Sequence, residues 1–285
     1  MTTYAVTGAT GKLGRLVLDE LLAKADAGDV VALARDPASL SDYADRGVQV
    51  RQADYDDPAS LETALADVDR VLLISGNAVG QRERQHGAIA AAAKRAGASY
   101  LAYTSVLNAQ DSKLLLAAEH VLTENLLKTS GLNHDVLRMP WYSENYTGAL
   151  APAIEQGVIY GATAEGRLST ASRADLAAGA VGALLNSPGG KIYELAGDQS
   201  WSMPEFAAEV GRQAGKPVAY VNQSEADYAT TLEGAGLPPP VAGFLASTSY
   251  LAGHGELYSE SKDLSALSGR PSTPISQTIA AALKG

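Results

Sequence analysis

Three glycines near the start of the chain have the spacing of a dinucleotide-binding loop. Gly8, Gly11 and Gly14 follow an apolar run at 4–6 and precede a helical pattern that begins near Leu16. In such a loop one glycine permits the tight turn, one lets the backbone approach a pyrophosphate, and one lets the helix pack on its strand. The helix N-terminus then faces the anion with unpaired N–H groups and a partial positive charge. The spacing alone is weak evidence for nucleotide binding. Its position between a first strand and a first helix favours nucleotide binding over a structural glycine turn.

The residue that would read the adenosine ribose lies at the end of the second predicted strand. A carboxylate there would hold the ribose 2′-hydroxyl of NAD, whereas a basic residue accommodates the 2′-phosphate of NADP. The sequence has Arg35 at this position, followed by Asp36. An arginine fork can hold a phosphate bidentately and stack on adenine, and Lys12 in the glycine loop could add a second charge. NADPH is therefore predicted over NADH, with the alternative that Arg35 is solvated and Asp36 serves the ribose.

Polar residues also follow later predicted strands, where ligands bind in parallel sheets. Asp54 and Tyr55 end the third strand, near the expected adenine, although a surface turn over 54–58 explains them nearly as well. The predicted cofactor-binding residues are Gly8, Thr10, Gly11, Lys12, Leu13, Gly14, Arg35, Asp54, Tyr55, Ser75, Gly76, Tyr103, Thr104, Pro140 and Tyr142. No metal site is predicted, because the four histidines form no ligand spacing.

Short apolar strands that alternate with helices would position these residues. The predicted strands are 4–6, 30–33, 48–50, 71–74, 100–103 and 134–137. Helices are predicted between them, for example over 61–66 and 88–96. This alternation predicts parallel strands with crossover helices, and six strands by about residue 138 suit a doubly wound sheet. We expect an α/β Rossmann-type fold, with an NADP-binding domain over 1–150 and a smaller C-terminal α+β substrate domain mainly over 151–285.

The second half of the chain breaks this rhythm. Ser172 begins a predicted helix that ends near Asn186, and a strand over 192–195 could return to the sheet, so a segment near 170–197 is expected to rejoin the first domain. A capping box over 202–205 opens another helix, and a strand over 218–221 and a helix over 224–232 follow. Because the chain from about 234 to 262 is rich in Pro, Gly and Ser, loops are predicted there.

The composition excludes several functions. The 285 residues contain no cysteine, which excludes disulfides, thiolate metal sites and thiol nucleophiles. With 22 basic and 32 acidic residues the formal charge is -10, and no basic stripe occurs, so nucleic acid is not an expected partner. No apolar stretch suits a membrane span and no secretory signal pattern opens the chain, so a cytoplasmic protein is expected. The sequence does not determine the oligomeric state, and a homodimer is one possibility.

Short segments spread over nearly the whole chain resemble a known family. The segments include "TGATGKLG", "ALARDP", "QADYDDP", "LLISG", "VGQRERQH", "AYTS", "LRMPWYSENY" and "TASRADLAAGA". Together they resemble the NmrA-like branch of the atypical short-chain dehydrogenase/reductases. Within it they are most similar to the bacterial NADPH:quinone oxidoreductases, with the triphenylmethane dye reductases as close relatives. The resemblance implies a Rossmann domain and a small C-terminal substrate domain, with the nicotinamide of NADPH in the cleft between them.

The proton donor of the wider superfamily is missing from its usual place. Those enzymes usually reduce carbonyls with a Tyr-x-x-x-Lys pair on the helix after the fifth strand, and no such pair follows Ser105. The one match, Tyr258 with Lys262, lies far beyond the sixth predicted strand and is not expected to act in catalysis. Hydride addition to a plain ketone needs a positioned acid or oxyanion donor. A quinone or a cationic dye instead delocalises or neutralises the incoming charge, so the sequence favours such acceptors.

An aromatic stretch directly after the sixth strand is the best candidate for holding the acceptor. Trp141, Tyr142 and Tyr146 could stack on a planar ring, and Asn145 or Tyr142 could hydrogen-bond a quinone oxygen. Aromatic packing between the two domains explains the stretch about as well. The sequence has Met139-Pro140 where its quinone-reducing relatives usually have Asn-Gly, so the role of that asparagine is lost. No catalytic residue is assigned.

Gln81, Arg82 and His86 are secondary candidates at the start of a helix that would face the cofactor cleft. The interpretation favoured for them is that they are solvated helix residues with no role in the site.

Two functions fit these observations. The leading hypothesis is an NADPH-dependent oxidoreductase that transfers hydride directly to quinones or similar electron-poor aromatic acceptors. The alternative is a non-catalytic, NADP(H)-binding redox-sensing regulator of the NmrA type. The missing Tyr-x-x-x-Lys pair predicts both, whereas the aromatic stretch and the full-length resemblance to reductases favour catalysis.

Overall fold

A parallel sheet of seven strands lies at the centre of the structure, a computed structural model that describes residues 1–284. Its strands are β1 (Tyr4–Val6), β2 (Val30–Ala34), β3 (Gln49–Gln52), β4 (Arg70–Leu73), β5 (Tyr100–Val106), β6 (His134–Met139) and β9 (Ile192–Glu194). They lie in the order β3-β2-β1-β4-β5-β6-β9, and every neighbouring pair is parallel. The order reverses direction between β1 and β4, as in doubly wound nucleotide-binding sheets. The predicted α/β Rossmann-type fold is confirmed.

Helices cover both faces of the sheet and continue into the second half of the chain. They are α1 (Lys12–Leu22), α2 (Ser41–Ala44), α3 (Pro58–Ala64), α4 (Arg82–Arg95), α5 (Ala117–Ser130), α6 (Glu144–Thr147), α7 (Leu150–Gln156), α8 (Arg173–Asn186), α9 (Met203–Ala214), α10 (Glu225–Gly234), α11 (Pro239–Gly253), α12 (Asp263–Ser268) and α13 (Ile275–Ala282). Within residues 1–284, none of them combines the length and the hydrophobicity that crossing a bilayer requires.

Alternate residues of each central strand pack on opposite faces of the sheet. Along β2, Val30 and Ala32 belong to a hydrophobic cluster with α1 and α8, whereas Val31 and Leu33 belong to a cluster with α3, α4 and α5. This two-residue period is intrinsic to a β-strand. Both faces are buried, and the carboxyl edge of the sheet remains as the place where a ligand can approach.

A third hydrophobic cluster is built largely from the second half of the chain. Its members include Trp201, Phe206, Val210 and Ile279. Two small sheets accompany it: β7 (Val158–Gly161) pairs in parallel with β11 (Ala219–Asn222), and β8 (Arg167–Leu168) pairs antiparallel with β10 (Trp201–Ser202).

Several predicted elements of the second half are confirmed. Ser172 caps α8, which ends at Asn186, and β9 returns to the central sheet beside β6. Ser202 and Glu205 form the reciprocal capping box at the start of α9, in which each side chain bonds the backbone of the other residue.

The prediction of loops over 234–262 is wrong. Residues 239–253 form α11, a helix of 15 residues. The prolines that suggested a loop lie at its cap and first turn, where a missing N–H costs nothing. Ala242, Ala246 and Ala252 are buried along one side, and this periodicity was obscured by the many small residues.

Candidate functional site

A cavity of about 510 Å³ opens at the carboxyl edge of the central sheet. This volume lies in the usual range of small-molecule pockets. Most of the predicted cofactor-binding residues line it: Gly8, Thr10, Gly11, Lys12, Leu13, Gly14, Arg35, Asp54, Tyr55, Ser75, Gly76 and Tyr142. The sequence reasoning missed other lining residues, among them Asp56, Asn77, Ala78, Gln85 and Arg173.

The glycine loop has the close backbone packing that a pyrophosphate cradle requires. Gly8 adopts a φ of +59°, a left-handed conformation that side chains disfavour. A Cβ on Gly14 would lie 2.3 Å from the carbonyl oxygen of Gly8 and 2.8 Å from the Cα of Ala9. Gly11 caps α1 without any side-chain hydrogen bond, so the first-turn N–H groups of this helix are available to an anion. These features fit a dinucleotide.

Arg35 and Asp36 differ in what their side chains do. Arg35 is exposed and lines the cavity at the end of β2. The carboxylate of Asp36 accepts a hydrogen bond from the N–H of Ala38 (3.1 Å) and caps the 3₁₀ turn Pro37–Leu40. Asp36 is thus engaged in local structure, whereas Arg35 lines the cavity.

Asp54 and Tyr55 belong both to a turn and to the lining of the cavity. The Asp54 carboxylate accepts from the N–H of Asp56 (3.0 Å), so a turn is present, yet both residues also line the cavity. Burial raises the pKa of Tyr55 to about 12, so its phenol stays protonated. Asp56 accepts from Gln85 (2.9 Å) and Arg84 (2.6 Å), and these hydrogen bonds lower its pKa.

Two buried side chains of α4 hold the backbone of Gly76 at the end of β4. The N–H of Gly76 donates to Nε2 of His86 (3.1 Å), and Nε of Arg82 donates to the Gly76 carbonyl oxygen (2.8 Å). Both side chains are buried, so the interpretation of Arg82 and His86 as solvated residues is wrong, while Gln81 is exposed. Because Gly76 lines the cavity, these two residues fix part of its wall.

The hydrogen bonds of His86 define its neutral form. Nε2 accepts from Gly76, so Nδ1 carries the proton and donates to Oγ1 of Thr123 (2.9 Å). Burial, together with the nearby Arg82 charge, lowers the pKa of His86 to about 4.

Three predicted cofactor-binding residues lie outside the cavity lining. Tyr103 is fully buried, and its hydroxyl bonds Nδ1 of His120 (2.8 Å), so it faces α5 rather than the cleft. Thr104 supports the cavity wall indirectly, because its Oγ1 accepts a hydrogen bond from the N–H of Ser75 (2.8 Å). Pro140 is buried directly after β6. The placement of the Tyr103 side chain in the cleft is wrong, because a strand end was assigned to the cleft without knowing which face its side chain takes.

The helix that would carry a Tyr-x-x-x-Lys pair is committed to a buried polar network. On α5, Glu124 accepts from Oγ of Ser105 (2.6 Å) and from Arg138 (2.8 Å). Within residues 1–284, α5 contributes no residue to the cavity lining. In the distant match, Tyr258 donates to Glu260 and Lys262 donates to the backbone of Asp198, and neither residue lines the cavity.

The aromatic stretch after β6 divides between packing and cavity lining. Tyr146 packs edge-on against Trp201, with ring centroids 4.9 Å apart. Trp141 lies 6.4 Å from Phe244 by the same measure. Tyr142 alone of the predicted acceptor-holding residues lines the cavity.

Arg173 is the functional candidate that sequence reasoning missed most completely. It is the first residue of α8, and its guanidinium lies over the Tyr142 ring, 4.4 Å from the centroid. Its Nη2 donates to Oδ1 of Asn145 (3.0 Å), and Glu144 forms a 3.6 Å ion pair with Nη1. The only signal in the sequence was its position directly after the capping residue Ser172, at the start of a helix.

Comparison with known proteins identifies the family. A family model described as NAD(P)H-binding matches residues 8–187. The chain belongs to this NAD(P)H-binding family. The matched region begins at Gly8 of the glycine loop and ends just after α8, so it includes every residue that lines the cavity.

Reductases from Escherichia coli and Citrobacter sp. match nearly the whole chain. Quinone oxidoreductase 2 of Escherichia coli (strain K12) is 46% identical over 277 residues, which cover 96% of each chain. A crystal structure of the NADPH-dependent quinone oxidoreductase from Escherichia coli, complexed with NADPH, superposes with a TM-score of 0.96 at 44% identity, covering 99% of this chain and 100% of that one. Triphenylmethane reductase of Citrobacter sp., complexed with NADP(H), gives 0.94 at 34% identity, covering 98% and 100%.

The buried histidines of this NAD(P)H-binding fold make its stability depend on pH. The pKa of His86 falls from 6.5 to about 4, and burial, with the Arg82 charge, lowers that of His120 to about 3. Between those values and 6.5 the unfolded chain binds protons that the folded chain does not, so stability is lost as the pH falls through this window. Each pKa unit corresponds to about 1.4 kcal/mol, so the loss is on the order of several kcal/mol.

Urea unfolding at a series of pH values measures this loss. His86→Gln is expected to lower stability at neutral pH and to flatten the slope between pH 6.5 and 4. His254→Gln serves as the matched control, because His254 is exposed at the end of α11. Equal slopes for wild type and His86→Gln would contradict the assignment.

Proposed function

We propose that this protein is an NADPH-dependent oxidoreductase that transfers hydride directly to quinones or similar electron-poor aromatic acceptors. The observation that carries the proposal is a single cavity that joins the glycine loop, the exposed Arg35 and the aromatic ring of Tyr142. The likeness to the quinone oxidoreductases from Escherichia coli over nearly the full chain supports both the cofactor and the acceptor class.

The sheet order supports placing the adenosine half of the cofactor on one side of β1 and the nicotinamide half on the other. The end of β2, with Arg35, and the end of β3, with Asp54, lie on the adenosine side. Ser75 after β4 and Tyr142 after β6 lie on the nicotinamide side. Arg35 and Lys12 would hold the 2′-phosphate, and the N-terminus of α1 would hold the pyrophosphate. When bound, NADPH supplies the hydride at C4 of its nicotinamide.

The acceptor class follows from which groups line the cavity. Tyr142 offers a flat apolar face and a phenol whose pKa is raised by burial, so it can donate a hydrogen bond to a quinone oxygen. Glu124 of α5 is engaged in the buried network with Ser105 and Arg138, and the cavity lining contains no residue of α5 within residues 1–284. An acceptor that delocalises the incoming charge can therefore be reduced mainly by being held over the nicotinamide in near-attack geometry.

Binding and turnover measured on the same preparation test the proposal. NADPH is expected to bind more tightly than NADH in a fluorescence titration, and its oxidation is expected to depend on added para-benzoquinone or menadione. NADPH binding without turnover over a broad panel of quinones and dyes would contradict the enzymatic function and favour the redox-sensing regulator. The likeness to named reductases over the full chain argues against that regulator.

The proposal includes the division of the chain into two domains. Residues 1–150, with the returning segment near 170–197, would form the cofactor domain, and the remainder of 151–285 the substrate domain. The separate hydrophobic cluster around Trp201 and Phe206 supports this division. A cytoplasmic location is proposed as well, and the net charge of -10 favours solubility. Whether the protein forms a homodimer is decided by its measured mass in solution.

A further inference from the structure

We propose that Arg173 is a catalytic residue that stabilises the negative charge developing on the oxygen of the acceptor during hydride transfer. This inference rests on the proposed function and adds to it the group that takes over from the missing proton donor. Arg173 lines the cavity, and 16% of its side chain is exposed. It is thus a nearly buried cation in the wall of the site.

The position of Arg173 is fixed by the backbone as well as by its side chain. Tyr142 and Ala171 form a parallel bridge, and the N–H of Ser143 donates to the Ala171 carbonyl oxygen (2.9 Å). These contacts bring the start of α8 to the end of β6, on the same side of β1 as Ser75. Arg35 lies on the other side of β1, where with Lys12 it would serve the 2′-phosphate, so Arg173 is left to act where the nicotinamide and the acceptor meet.

The contacts of the guanidinium hold it in place without using all its donors. The Arg173 backbone N–H donates to the Glu144 carboxylate (3.0 Å), which also pairs with the guanidinium at 3.6 Å. Nη2 donates to Asn145, while the planar group stacks on Tyr142. A guanidinium carries five N–H groups, and one side-chain hydrogen bond is formed within residues 1–284. The others can donate to an acceptor that stacks beside Tyr142.

Apart from a proton taken from water, hydride transfer needs no reactant other than NADPH and the quinone. The C–H bond at C4 of the dihydronicotinamide breaks, and its hydrogen leaves with both electrons to form an O–H bond at one quinone oxygen, so that the negative charge comes to lie on the other oxygen. The quinone is reduced to the hydroquinone monoanion, and the cofactor is oxidised. Arg173 would donate hydrogen bonds to the anionic oxygen, which then takes a proton from water. A preorganised donor acts at this charge without reorganisation cost.

The test compares Arg173→Gln, Arg173→Lys and the control Arg212→Gln. Arg212 is an exposed residue of α9 whose pairing with Glu209 lies outside the cavity. For Arg173→Gln we expect kcat with para-benzoquinone to fall between about 10-fold and about 100-fold. The dissociation constant for NADPH should stay within about threefold of the wild type, which is about 0.7 kcal/mol. Arg173→Lys should recover part of kcat, because it keeps the charge but loses the planar fork.

A binding measurement gives a second readout that does not depend on turnover. In the presence of NADP⁺, para-nitrophenolate mimics the anionic hydroquinone, and Arg173→Gln should weaken its binding by on the order of 10-fold. Unchanged kcat and unchanged phenolate binding in Arg173→Gln, with quinone turnover by the wild type, would overturn the inference alone. Weaker NADPH binding with unchanged kcat would also overturn it, because Arg173 would then be a cofactor ligand. Absence of quinone turnover by the wild type would overturn the proposed function and this inference with it.

Discussion

Arg35→Asp is expected to reverse the cofactor preference. The variant removes a guanidinium that can bond a phosphate with two charge-assisted hydrogen bonds, each worth about 1.5–3 kcal/mol. It also places a carboxylate where NAD-binding sheets of this type use one for the ribose 2′-hydroxyl. The ratio of kcat/KM for NADPH to that for NADH should therefore fall by on the order of 10²-fold to 10³-fold. Steady-state kinetics with both cofactors and one quinone measure this ratio.

A matched control separates a local effect from a change of net charge. Lys128→Asp makes the same change of charge on the exposed side of α5, outside the cavity. It should leave the ratio within about twofold, because exposed charges far from the ligand are screened by salt. An unchanged ratio in Arg35→Asp would show that another group, such as Lys12, reads the 2′-phosphate.

Gly14→Ala is expected to disrupt the glycine loop. The added Cβ would lie 2.3 Å from the Gly8 oxygen and within 2.9 Å of the backbone of Ala9, so α1 must move away from the loop. Overpacking of this kind costs about 3 kcal/mol of unfolding free energy. Displacing the helix N-terminus should also weaken NADPH binding by on the order of 10-fold, or about 1.4 kcal/mol.

Gly28→Ala is the control for this substitution. A Cβ at Gly28 meets no atom within 4 Å, and Gly28 has no left-handed φ. Its unfolding free energy should change by less than about 0.5 kcal/mol. Urea unfolding and NADPH titration of the two variants give both quantities. A Gly14→Ala protein as stable and as tightly bound to NADPH as Gly28→Ala would show that the close approach in this loop is dispensable.

The alternation of strands and helices made most of the central sheet predictable. Apolar runs such as 30–33 and 100–103 are bounded by turn residues, so their positions emerge from local sequence. The capping residues Ser172 and Ser202 marked their helices for the same reason, since a cap is a contact between near neighbours. Helix α11 was missed because small residues and prolines carry little periodic signal.

The candidate site was predictable only where the backbone itself defines it. The glycine loop and Arg35 follow from their positions after strands, and both line the cavity. Tyr103 was misplaced because β5 is buried on both faces, so its sequence lacks the alternation that reveals a side chain's direction. Arg82 and His86 share a face of α4 with Ile89, a spacing that could have indicated burial. Arg173 depends on a tertiary contact between α8 and the end of β6, which no local pattern encodes.

The proposed function requires direct, stereospecific hydride transfer from NADPH held in this cavity to a quinone. It is tested by single-turnover reduction of para-benzoquinone with NADPH deuterated at only one of the two C4 positions. We expect a primary kinetic isotope effect with one of the two labelled isomers, and loss of the label from the oxidised cofactor in that isomer alone. Loss of label at the rate seen without protein, or equally from both isomers, would contradict direct hydride transfer in this cavity.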